Sequence, residues 1–186
     1  MDQRVQKILQ ENPEFKKRYE RMKQLHEEGK PVESLTGLSD EMVEHVFESI
    51  RKKFKFDLPE DYLTFLKLSN GFYRGIESGR LFKFSDWSDC DLPPVDGGYA
   101  FGTYGDEGYF IYAAKKGIFY SFDRCSHDHE RAYGSFSDLL DYMLGLEVRE
   151  GGIRDCTYED LYDGERDELY EEYEDYYANE VYIDNS

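Results

Sequence analysis

Apolar residues recur at three- and four-residue intervals up to about Leu68 and at alternate positions afterwards, so the chain reads as helices followed by a sheet. Val5, Ile8, Leu9, Phe15, Tyr19, Met22 and Leu25 keep helical spacing from Asp2 to Glu28. Asn12-Pro13 interrupts them, because proline disfavours a helical conformation in the residue before it. Two short amphipathic helices are predicted, closed by Gly29-Lys30-Pro31. Ser39 then offers an N-cap, Asp40 and Glu41 fall in the first turn, and Leu38 and Val43 are placed as a hydrophobic staple. The stripe behind them is Met42, Val43, Val46, Phe47, Ile50 and Phe54, with Arg51, Lys52 and Lys53 in the last turn. A further helix starts at Leu58-Pro59-Glu60-Asp61 and carries Tyr62, Leu63, Phe65, Leu66 and Leu68. Asn70-Gly71 is expected to end it, the glycine supplying a left-handed cap.

After Gly71 the period becomes strand-like. Arg80 to Phe84 and Tyr99 to Tyr104 are aromatic strand candidates on either side of the acidic segment Ser85 to Gly98. Gly108 to Ala114 and Ile118 to Asp123 form a β-hairpin across Lys115-Lys116-Gly117. Ser135 with Asp138 resembles a capping box and opens a helix bearing Phe136, Leu139, Leu140, Met143 and Leu144. Gly151-Gly152 marks the expected exit from the core.

A chain of 186 residues suits one compact domain with appendages. Leu, Ile, Val and Phe concentrate between Leu35 and Leu146, which predicts a folded core over 35–154, a helical flank over 1–34 and an acidic tyrosine-rich tail over 155–186. The net charge of −18 argues against sequence-blind binding to nucleic acid and against anionic membranes, since both are held by Lys and Arg. Residues 155–186 carry 13 acidic groups against 1 basic, so the natural partner is a cation-rich surface. Seven of the 17 tyrosines lie in that tail, where Leu161, Leu169, Tyr173, Tyr176, Tyr177 and Val181 recur near every third or fourth residue. Glu171, Glu172, Glu174 and Asp175 repel one another, leaving open a helix docked on the core or a frayed tail. No leader or membrane-spanning run is expected from the start of the chain or its short apolar runs, and Cys90, Cys125 and Cys156 fit no disulfide framework, so a reducing cytoplasm is expected.

The order of a capped helix, Leu58-Pro59-Glu60-Asp61-Tyr62, Phe65-Leu66, Asn70-Gly71, aromatic strands, a hairpin and a closing Ser135-Phe136-x-x-Leu139-Leu140 helix resembles the SUKH superfamily, the Knr/Smi family. The resemblance spans roughly 35–146 and implies an α+β fold, a mixed, largely antiparallel sheet flanked by helices. Many bacterial members are immunity proteins that bind and neutralise a cognate toxin, often a nuclease or a nucleic-acid deaminase. A regulatory or scaffold module, as in the yeast relatives, is the alternative it implies. The matched residues shape a helix and its ends, so they bring no catalytic role with them.

Asp86, Asp89, Asp91 and Asp96 crowd a loop holding Trp87, the single tryptophan. Tryptophan is enriched at interface hot spots and the carboxylates suit Lys or Arg of a partner, so this loop is the predicted protein-binding surface. Asp106 and Glu107, with Tyr173 and Glu174 of the tail, complete the predicted set. Cys125, His127 and His129 would suit zinc by residue type, but a polar loop after the hairpin is the preferred reading. Gly102-x-x-Gly105-x-x-Gly108 lies between strands rather than before a helix, so turn glycines explain it. No hydrolase, zincin or P-loop signature is present, and the expectation is a binding protein without catalytic residue, metal or cofactor.

Overall fold

The computed structural model describes residues 3–28, 35–54, 56–75, 79–81, 88–89, 98–104, 108–114, 116–123 and 130–156. Helices α1 (Gln3–Glu11), α2 (Glu14–Glu27), α3 (Asp40–Phe54) and α4 (Glu60–Leu68) come first. Strands β1 (Phe72–Gly75), β2 (Gly79–Leu81), β3 (Ser88–Asp89), β4 (Gly98–Tyr104), β5 (Gly108–Ala113), β6 (Ile118–Asp123) and β7 (Glu130–Tyr133) follow. Helix α5 (Phe136–Leu144) and strand β8 (Ile153–Cys156) close the described chain. The strands form one eight-stranded sheet in the order β1-β2-β4-β5-β6-β7-β8, with β3 also on β4, and every described pairing is antiparallel. The molecule is an α+β fold.

Local chemistry explains most element ends. The α1–α2 break falls at Asn12-Pro13, as the proline dictates. The Ser39 hydroxyl accepts from the Met42 N–H at 3.2 Å, and Leu38 and Val43 are both buried, in keeping with the staple. Ser135 accepts from the Asp138 N–H at 3.1 Å, and Gly145, at φ 65°, ends α5 while the Leu146 N–H reaches the Asp141 carbonyl at 2.9 Å. The end of α4 differs from expectation. Ser69, extended at φ −154°, caps it, and Gly71, at φ 100°, instead turns the chain into β1. A hydrogen bond from the Ser69 hydroxyl to the Gly71 carbonyl at 2.6 Å holds that turn.

All five helices share one hydrophobic cluster on the front face of the sheet. At its centre Tyr62 meets Phe136 edge-on at 4.9 Å, Phe65 meets Phe136 at 5.1 Å, and Phe101 meets Phe119 edge-on at 5.4 Å. Phe101, the residue after Ala100, faces this core, and a bulge lies beside it. Ala100 pairs with Ile111 and Gly102 with Phe110, so two residues of β4, Phe101 and Gly102, oppose one of β5. Tyr112 stacks on Phe119 at 4.6 Å, and its burial, with Asp61 and Asp57 adding repulsion, pushes its phenol pKa up.

The helical flank packs on the core, with Phe15, Met22 and Leu25 fully buried in the same cluster as α4 and α5. Two expectations are corrected by packing. Met42 is 55% exposed and lies off the stripe formed by Val43, Val46 and Ile50. Gly151-Gly152 is not the exit from the core but the turn into β8, which pairs with β7 and buries Cys156.

The back face of the sheet holds a second buried cluster of Ile111, Ala113, Tyr120, Ala132 and Cys156, with Tyr109 and Ile118 packed against it. Its members are strand residues only, and no described helix contributes to it.

Candidate functional site

Helix α5 organises a polar surface of paired carboxylates and arginines. Its N-terminus is capped twice, by Ser135 and by Asp61 of α4, whose Oδ2 accepts from the Ser137 N–H at 2.8 Å. Asp138 is buried in the first turn, where a carboxylate complements the exposed N–H groups. It accepts from the Ser135 hydroxyl at 2.7 Å and from Arg149 through two parallel bonds, Nε to Oδ1 and Nη2 to Oδ2, both 2.8 Å. The hydrogen bonds to Asp138 raise the Arg149 guanidinium above its ordinary value, so this arginine stays cationic. One turn on, Asp141 takes a second fork from Arg18 of α2, at 2.9 Å and 2.7 Å. Arg18 also lies over the Phe15 ring at 5.2 Å, and Arg21 donates to the Leu144 carbonyl at 3.3 Å.

Arg18, Ser135, Ser137, Asp138, Asp141 and Arg149 help to wall an open groove of about 510 Å³. Exposed Glu14 and Lys17 of α2 stand on one side, and Glu147, Arg149 and Glu150 on the other. Its chemistry is that of a charged recognition surface. Each interior carboxylate is already matched by an arginine in planar two-point geometry, leaving the rim charges to face a ligand. Among the described residues no group of three or more His, Cys, Asp or Glu side chains is arranged to hold a metal ion.

Of the residues predicted to bind a partner, Asp89 is placed by its backbone in β3, opposite Tyr99 of β4. Asp86, Trp87, Asp91, Asp96, Asp106, Glu107, Tyr173 and Glu174 lie outside the described residues, as does the Cys125 to Glu130 string up to His129. The α2–α5 groove escaped sequence reasoning for a plain reason. Arg18 and Asp141 are 123 positions apart, and no local pattern pairs them. Only Asp138 carried a signal, through its spacing from Ser135.

No helix among the described residues is long and apolar enough to cross a membrane. Comparison of the chain with known protein families, with curated proteins and with solved structures finds no match.

Proposed function

We propose that this protein is an immunity protein of the SUKH type, which binds and neutralises a cognate nuclease- or deaminase-like toxin through an acidic surface. The reading rests on one observation: the chain carries −18, with 13 acidic groups against 1 basic in residues 155–186. A toxin acting on nucleic acid must present a basic groove to phosphates, and an acidic protein occludes it by using the same attraction. Two of the arginines that could oppose this field, Arg18 and Arg149, are committed to internal carboxylates. The resemblance of residues 35–146 to the superfamily supports the same reading, its matched positions Tyr62, Phe65, Leu66 and Phe136 lying in the buried core.

The test is co-expression. Cells producing the toxin domain encoded beside this chain should grow when the full-length protein is present and die when it is absent. Purified together, the two should elute as one complex. Continued death despite abundant folded protein, with no complex, would overturn the reading. The alternative is a non-catalytic regulatory or scaffold module, favoured by a chain encoded alone whose captured partner is no toxin.

A further inference from the structure

The two walls of the groove are fastened to the same helix, but not equally. On one side Arg18 forks onto Asp141, and α2 is rooted in the core by Phe15, Met22 and Leu25. On the other side residues 147–150 form a turn between α5 and β8. Glu147, Arg149 and Glu150 are exposed, and only the flanking Leu146 and Ile153 pack against the front cluster. The Gly152 N–H closes the turn on itself by donating to the Arg149 carbonyl at 2.9 Å. Among the described residues the fork of Arg149 on Asp138 is otherwise the one hydrogen-bonded tie between this turn and the rest of the molecule. Gly145, at φ 65°, and Gly151, at φ 72°, stand at its ends, where glycine leaves the backbone free to pivot.

The fork itself is lopsided. Asp138 keeps 4% of its side chain exposed and Arg149 keeps 66%, so the carboxylate is the fixed member and the arginine the removable one. Withdrawing Arg149 alone would leave a buried charge unpaired, which holds the turn closed until another cation takes its place. We propose that Asp138 is the floor of a guanidinium site, filled by Arg149 as a built-in occupant until the turn 147–150 swings out and an arginine side chain of a protein partner replaces it. The two oxygens of Asp138 already hold a guanidinium edge in parallel bonds, a geometry that an ammonium group does not reproduce. Glu14, Glu147 and Glu150 on the rim take part in no ion pair among the described residues, against a single unpaired Lys17, and they attract the incoming cation. The inference rests on the proposed basic partner only for the source of that arginine. The site and its hinged occupant belong to this chain.

Chemical rescue of the full-length chain tests this without the partner. In Arg149→Ala, ethylguanidinium should move the backbone amide resonances of Ser137 and Asp138 along a saturating curve, with an affinity at least about tenfold above that of the parent chain. Ethylurea, a neutral analogue of similar shape, should produce no saturating shift. Amide order parameters over residues 147–150 should fall from about 0.85 in the parent to below about 0.6 in the variant, with α5 and β8 unchanged. If Arg149→Ala fails to fold, Arg149→Met, which keeps the apolar stem, takes its place in every comparison. Equal responses to the two compounds overturn the proposal, because Asp138 then selects no guanidinium. So does a parent chain that saturates as readily as the variant, since Arg149 then blocks nothing, or unchanged order over 147–150, which leaves the turn held without its fork. None of these results depends on rescue from a toxin, so a failed site and a failed partner are told apart.

Discussion

At Gly37 a Cβ atom would lie 1.9 Å from the Lys67 carbonyl oxygen and 2.8 Å from the Leu68 nitrogen. The segment around it is clamped to the end of α4, the Leu38 N–H donating to the Leu66 carbonyl at 2.8 Å and Arg4 donating to the Leu38 carbonyl. Neither side can yield without breaking backbone bonds. Gly37→Ala should therefore lower the urea midpoint by the equivalent of about 1–3 kcal/mol. Gly117, at φ 64° with open space around it, offers the contrast: Gly117→Asn should cost less, because asparagine tolerates the left-handed region. Tyr112 gives a residue-scale prediction with a sign. Its folded pKa is raised above the ordinary value of 10.0, so its contribution to stability is intact below pH 10 and is lost as pH climbs through the folded value. Tyr112→Phe removes that loss. The variant should gain on the parent protein between pH 9 and about pH 11, the other tyrosines titrating alike in both chains. A constant difference in unfolding midpoint would refute the desolvation argument.

At the scale of elements, α4 is held by what it buries rather than by how it starts. Pro59 makes no side-chain cap bond, and its carbonyl still accepts from the Leu63 N–H at 3.1 Å whatever its side chain. Pro59→Ala should be mild, whereas Phe65→Ala should cost about 3–5 kcal/mol, since a fully buried ring leaves both lost transfer energy and a cavity. Equal thermal shifts for the two would contradict the packing. The α2–α5 contact supplies a second case. Arg18 and Asp141 keep only 12% and 13% of their side chains exposed, while Lys7 and Glu11 keep 75% and 61%. A double-mutant cycle on the first pair should return a coupling of about 0.5–3 kcal/mol, and on the second only about 0.2–0.5 kcal/mol.

For the whole molecule the governing quantity is charge. A body at −18 attracts a basic surface from beyond contact, and the attraction is screened over about 8–10 Å at physiological salt. Raising ionic strength should therefore slow association with the proposed basic partner far more than it hastens dissociation, because rim ion pairs act mainly on the encounter. Stopped-flow rates across a salt series measure this directly. A salt-independent association rate would place recognition on apolar residues such as Trp87.

Several local signals determined the outcome from the sequence alone. Asn12-Pro13 split the first helix, Ser39 and Ser135 capped theirs, the glycine after three hairpin residues set β5 against β6, and the periodicity named Tyr62, Phe65, Phe136 and Leu140 as core. These features depend on the backbone conformation and spacing of a few neighbouring residues, which composition displays openly. Strands β1, β7 and β8 were not legible, being four residues each and recognisable only by what they pair with. Nor was the packing place of α1 and α2, whose apolar positions, Ile8 and Leu9 in one and Phe15, Met22 and Leu25 in the other, were legible while the surface that buries them was not. The bulge beside Phe101, the forks of Arg18 and Arg149, and the covered back face around Tyr120 all depend on which segments meet in the folded chain. Only the tertiary structure could settle them, because register and burial are properties of two surfaces meeting, and one stretch of chain carries only one of the two.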